Sequence, residues 1–124
     1  MIRRGRIGAF LAGVLIGLMS INAYAAELVM FETEGCPWCA AWNRDVGTIY
    51  TKTEEGQRAP LRRVDVDAPR PADLQHILGI VYTPTFVLVE GGREVGRIVG
   101  YPGDDHFWGL LGELLRKTTT GVGS

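Results

Sequence analysis

The chain's only two cysteines, Cys36 and Cys39, stand three positions apart where a short apolar run gives way to helical spacing. The run is Leu28-Val29-Met30-Phe31, bounded by Glu27 and Glu32. A continuous apolar stretch of that length suits a strand covered on both faces of a mainly parallel sheet. After the turn Thr33-Glu34-Gly35, apolar residues return at Trp38, Trp42, Val46 and Ile49, with Thr53 in step, which is the spacing of an amphipathic helix. Pro37 fits its first turn, where a missing N–H costs nothing. Gly47 costs that helix about 1 kcal/mol relative to alanine, so a bend or an early end is expected between Gly47 and Gly56.

Downstream, Leu61-Arg62-Arg63-Val64-Asp65-Val66-Asp67 follows Ala59-Pro60 and alternates apolar with charged residues, predicting a second strand with Val64 and Val66 inward. A short helix is expected over Pro71 to Leu78. Thr85 to Val89 and Glu94 to Val99 flank Glu90-Gly91-Gly92-Arg93, a glycine-rich turn that makes them an antiparallel hairpin. Asp104 or Asp105 can cap a last helix, whose broad apolar face is Phe107, Trp108, Leu110, Leu111, Leu114 and Leu115, and Arg116 and Lys117 suit its C-terminal end. The order strand, helix, strand, helix, strand, strand, helix gives an α/β fold with a central four-stranded mixed sheet flanked by helices.

The 124 residues suffice for one domain, and the first quarter lies outside it. Arg3, Arg4 and Arg6 precede an apolar or small stretch from Ile7 to Ile21, broken only by Ser20, and Ala23-Tyr24-Ala25 fits a small-x-small cleavage site. Residues 1–25 therefore read as a secretory signal for the Sec route, with a membrane tether as the alternative if the segment stays uncleaved. The expected divisions are this signal, a domain over 26–117 and a disordered tail over 118–124. Three of the 13 basic residues and none of the 14 acidic ones fall in the signal, so the mature chain carries 10 against 14, a formal −4. That balance argues against nucleic acid as a partner. A monomer is expected, since no second domain for dimerisation is present.

A helix N-terminus presents unpaired N–H groups and the positive end of the helix dipole, and both favour a thiolate at Cys36. Cys36 is the expected nucleophile, and Cys39, one turn deeper, is placed to attack a mixed disulfide formed there. A merely structural bridge closing so short a loop would restrain the unfolded chain by only about 2 kcal/mol. Four-coordinate zinc would need two further ligands, and His76 and His106, the only histidines, are remote from the cysteines in sequence. Neither a metal nor another cofactor is expected.

Cys36-Pro37-Trp38-Cys39 after a buried strand, with Tyr82-Thr83-Pro84-Thr85-Phe86 opening a later one, resembles the thioredoxin superfamily over nearly all of residues 27–117. The resemblance implies a cis peptide at Thr83-Pro84, with the Thr83 backbone next to Cys36 and able to pair with an extended substrate segment. It makes Trp38, Tyr82, Thr83 and Pro84 substrate-binding residues, Trp38 offering an apolar surface to a partner protein or else simply packing. Thioredoxins carry a buried acid six residues before the nucleophile, whereas this chain has Met30, so proton transfer at Cys39 must use water or another group. Arg63 matches a basic residue that biases the thiols toward thiolate, or is a solvated strand residue.

Gly35 to Ala40, Ala59 to Asp65, Thr83 to Leu88 and Gly100-Tyr101-Pro102-Gly103 look like the periplasmic thioredoxin-like proteins of thiosulfate-oxidising Sox systems. That narrower resemblance implies a periplasmic reductase that keeps the cysteine of a sulfur-carrier protein reduced. Its substrate is a protein disulfide or thiol, and its electrons come from a membrane donor of CcdA or DsbD type. The same residues could serve an oxidant that introduces disulfides, since only the reduction potential decides direction. A copper-handling or regulatory module without turnover is the reading from a different class.

Overall fold

The computed structural model describes residues 26–119. The expected export signal and residues 120–124 lie outside them.

Strand β1 (Ala26–Glu32) runs at the centre of a sheet ordered β2-β1-β3-β4. It pairs in parallel with β2 (Leu61–Asp65) and antiparallel with β3 (Thr85–Glu90), which pairs antiparallel with β4 (Arg93–Val99). The continuous apolar run of β1 is explained by two cores, because alternate side chains leave a strand on opposite faces. Leu28 and Met30 join Phe86, Leu88 and Ile98 on one face, under the first and last helices. Val29 and Phe31 join Val64, Val87 and Val89 on the other, closed by Leu74 and Ile77.

Helix α1 (Pro37–Trp42) continues as a π-helical stretch, Asn43–Gly47, and stops there. A side chain on Gly47 would lie 3.2 Å from the Trp42 ring, so the glycine that ends the helix also makes room for the largest buried residue. That ring meets Tyr50, Phe86 and Phe107 at centroid distances of 6.0, 5.1 and 5.7 Å, an aromatic cluster in the same core as the cysteines. A 3₁₀ turn at Tyr50–Lys52 leads into α2 (Glu54–Arg58), a helix absent from the sequence expectation. Its signal was present in Thr53-Glu54-Glu55: the Thr53 hydroxyl accepts from the Gly56 N–H at 3.0 Å, with both acids in the first turn.

Two expectations are corrected. The helix expected over Pro71 to Leu78 is only a 3₁₀ turn, Ala72–Leu74. Its backbone bonds close after three residues rather than four, Leu74 N–H to Pro71 O at 2.9 Å and Ile77 N–H to Leu74 O at 3.0 Å. Beyond them side chains hold the chain: Arg70 donates to Ile77 O at 2.8 Å, and Arg97 to Leu78 O at 2.9 Å and Gly79 O at 3.3 Å. The last helix, α3 (Asp104–Arg116), is capped by neither aspartate, because Gly103, with φ of 102°, occupies the N-cap position. Asp104 instead accepts from the Asp105 N–H at 2.8 Å, and both acids sit in the first turn, where the helix dipole favours them. α3 buries Phe107, Leu111, Leu114 and Leu115 against the face that holds Leu28 and Met30.

Order extends past the expected domain limit at residue 117. Thr118 is buried, with its hydroxyl on Leu115 O at 2.6 Å, and the Thr119 N–H and hydroxyl both reach the Glu90 carboxylate. Among the described residues no helix is long and apolar enough to cross a membrane.

Candidate active site

Cys36 is the N-cap of α1, with extended backbone (φ −85°, ψ 110°), and Gly35 before it adopts φ of +77°, a conformation that favours glycine. The strand-to-helix turn thus delivers Cys36 to the mouth of the helix, with Pro37 next in the first turn. Cys36 and Cys39 are joined as a disulfide. They are 9% and 3% exposed, so the outer sulfur offers the attackable surface while the inner one belongs to the core.

Two donors converge on the outer sulfur. The Cys39 N–H donates to Cys36 Sγ at 3.1 Å and the Thr83 hydroxyl donates to it at 3.3 Å. Both would hold a thiolate more strongly than a thiol, because a hydrogen bond to an ionised acceptor is roughly twice as strong as a neutral one. The Thr83 carbonyl lies 3.4 Å from the same atom. It can accept from a thiol, and finds no proton to accept when the sulfur is bonded to Cys39.

Thr83 is brought there by the segment that enters β3. The Thr83-Pro84 peptide is cis, the Thr85 hydroxyl holds Tyr82 O at 2.6 Å, and the Gly100 N–H holds Pro84 O at 2.7 Å. Pro84 is buried, while Trp38, beside Cys36 in the helix mouth, and Tyr82, beside Thr83, stand 62% and 67% exposed. Leu78 and Val81, 72% and 75% exposed, extend that apolar surface along the chain leading to Thr83. The structure therefore places all six residues singled out from the sequence in the helix mouth or the segment facing it. Sequence reasoning gave Thr83 only a backbone role, and nothing in a Thr-Pro pair signals that the hydroxyl reaches sulfur.

Beside the disulfide opens a cleft of about 360 Å³ lined by Glu32, Cys36, Cys39, Ala40 and Asn43 among others. Arg63 crosses from β2 to hold both Glu32 carboxylate oxygens at 3.0 Å and Asn43 Oδ1 at 2.8 Å. Its Nη1 lies 3.6 Å from Met30 Sδ, and the guanidinium carbon 5.9 Å from the Trp42 ring centre. The hydrogen bonds of Arg63 thus go to Glu32 and Asn43, which sequence reading did not select. His76 and His106 are exposed, and the His76 ring contacts Gly92 O at 2.6 Å.

The loop after β4 packs behind α1. Tyr101 donates to Asp45 Oδ2 at 3.0 Å, tying this loop to the π-helical stretch that continues the helix. Burial, then the hydrogen bond to Asp45, pushes the Tyr101 phenol up to about 12.

A thioredoxin-like domain family matches residues 22–115. Among solved structures, the reduced periplasmic thioredoxin SoxS from Paracoccus pantotrophus is 40% identical, covering 74% of this chain and 97% of that one, with a TM-score of 0.68. A thioredoxin from Thermus thermophilus is 28% identical over 79% of this chain and 80% of that one, with a TM-score of 0.57. A mutant thioredoxin from Halobacterium salinarum is 26% identical over 73% of this chain and 74% of that one, with a TM-score of 0.55. No curated protein matches the chain in a sequence comparison.

Proposed function

Because the chain belongs to the thioredoxin-like family, we propose that it works outside the cytoplasm as a reductase that keeps a partner protein's cysteine in the thiol form. Its reaction class is that of a thiol-disulfide oxidoreductase. The observation that carries the reading is the convergence of the Cys39 N–H and the Thr83 hydroxyl on Cys36 Sγ, at 3.1 and 3.3 Å. A site built to favour a thiolate there makes Cys36 both a ready nucleophile and a good leaving group.

In the reduced protein the Cys36 thiolate attacks one sulfur of the partner's disulfide, and the other sulfur leaves with the bonding pair. Cys39, as thiolate, then attacks Cys36 Sγ and expels the partner's second sulfur, so two electrons pass from the dithiol to the partner. The Thr83 backbone pairs with the partner's extended segment in the manner of an added strand, over buried Pro84. Trp38 and Tyr82 supply apolar contact to the partner.

Export is supported by the charged, apolar and small-residue order of residues 1–25, and by the periplasmic character of the Paracoccus pantotrophus protein. The family resemblance read from the sequence points to a sulfur-carrier protein of a Sox system as partner and a membrane protein of CcdA or DsbD type as electron donor, and we read the chain as acting as a monomer.

The test is a pair of variants in a disulfide-reduction assay. Cys36→Ser should abolish turnover, and Cys39→Ser should accumulate a mixed disulfide with the partner. Full activity in Cys36→Ser would refute the assignment. A reduction potential near thioredoxin's roughly −270 mV accords with a reductase, and one near −120 mV would reverse the direction.

A further inference from the structure

We propose that Glu32 accepts the proton of Cys39 in the second half of the exchange, and that Arg63 and Asn43 position its carboxylate for that task. This rests on the reductase reading above.

The need arises from burial. Cys39 is 3% exposed, so its thiol must lose a proton in a place nearly closed to solvent before it can displace anything. The side chains of β1 on that face are Leu28, Met30 and Glu32 in turn. Leu28 and Met30 are wholly buried in the same core as both cysteines and bring no base to it. Glu32, at the end of the row, opens on the cleft beside the disulfide, and it is the one carboxylate among the described residues lining that cleft.

The carboxylate is also held in place. Both its oxygens are 3.0 Å from Arg63 Nη1, whose companion Nη2 donates to Asn43 Oδ1 at 2.8 Å. Asn43 directly follows α1 and itself lines the cleft, so the relay is tied to the helix that carries Cys39. The Glu32 side chain is 22% exposed, against 44% for Arg63, so the carboxylate is the more sheltered member of the ion pair. A cleft of about 360 Å³ lined by Glu32, Cys39 and Asn43 has ample room for a bridging water. General bases act across one water as well as directly.

The step balances without a further reagent. The Cys39 proton passes through cleft water to Glu32, and the electron pair left on Cys39 forms the bond to Cys36 Sγ. The bond between Cys36 and the partner's sulfur breaks, and that sulfur leaves as a thiolate, which is protonated from solvent. Glu32 then returns its proton to solvent.

The competing account makes Glu32 and Arg63 a cross-strand ion pair, holding the sheet edge and nothing more. That role would alter unfolding and leave the order of chemical events alone. A single-turnover experiment on the reduced protein with an aromatic disulfide separates the two, because Cys36 attack releases one coloured thiolate and Cys39 attack releases the second. Glu32→Gln keeps the size and an oxygen for Arg63. It is expected to slow the second release about 100-fold near neutral pH, the scale of general-base catalysis, and to leave the first within about twofold. The deficit should shrink steadily as pH rises, because hydroxide increasingly removes the Cys39 proton in place of the carboxylate. Glu32→Ala should behave alike. A second release at the wild-type rate in either folded variant overturns the proposal, as does an equal slowing of both releases. Absence of any release from the wild-type protein would instead refute the reductase reading.

Discussion

Replacing Thr83 by valine removes one hydroxyl donor from Cys36 Sγ while keeping the side chain's shape. A hydrogen bond to an ionised group contributes about 1.5–3 kcal/mol, and part of that is also lost from the neutral thiol. With the bond at 3.3 Å, a difference near the low end, about 1.4 kcal/mol, is reasonable and equals about one pKa unit. The donor favours the thiolate, so its loss raises the Cys36 pKa. At the pH where the wild-type Cys36 is half ionised, a rise of about one unit cuts its thiolate share from about a half to about a tenth. The more basic thiolate is about threefold more nucleophilic, so the net rate at that pH drops only about twofold. Well above both pKa values the variant should be about threefold faster than wild type. The disulfide couple should also become more reducing by up to about 30 mV where Cys36 is ionised. The measurement is the rate of Cys36 alkylation against pH in the reduced protein. Curves that never cross, with the variant slower throughout, would refute the thiolate account of Thr83.

Gly56 and Gly96 offer a contrast in kind: a Cβ at Gly56 would lie 1.8 Å from the Tyr50 carbonyl oxygen, whereas one at Gly96 would meet the end of the Leu114 side chain at 2.5 Å. Gly56→Ala should therefore cost about 3 kcal/mol or more in urea unfolding and Gly96→Ala distinctly less, and equal costs would show that the backbone near Tyr50 can yield. Tyr101, raised from 10.0 to about 12 mainly by burial, is protonated more tightly in the folded state than in the unfolded one. Its contribution is complete below pH 10 and is lost as pH rises toward 12, so unfolding midpoints should fall across that window, and Tyr101→Phe should flatten the fall.

The sheet and the cysteine pair were legible because their signals are local. Leu28 to Phe31 is apolar at every position, the Gly91-Gly92 turn sits between two strand-like runs, and Cys36 and Cys39 carry their own spacing. The segment from Pro71 to Leu78 misled because its apolar spacing closes only i→i+3 turns, and the chain beyond them is held by a remote residue, Arg97 on β4, which takes the Leu78 and Gly79 carbonyls. The N-cap of α3 misled for the opposite reason, since Gly103 accepts a backbone conformation that let the chain turn ahead of both aspartates. The Glu32, Arg63 and Asn43 cluster joins a strand end, a neighbouring strand and a helix end, and no spacing along one chain reveals such a meeting.

The fastening of the chain ahead of Thr83 by Arg70 and Arg97 separates two kinds of surface. The arginines grip main-chain oxygens, so the identities of Leu78, Val81 and Tyr82 are immaterial to the grip, and these outward side chains are left to vary. Below them the aromatic floor around Trp42 keeps the sulfurs in register whatever the rim displays. Recognition can be rewritten at the rim while the electron-transferring pair stays tuned, which suits a scaffold to serving different clients with one unaltered reaction centre.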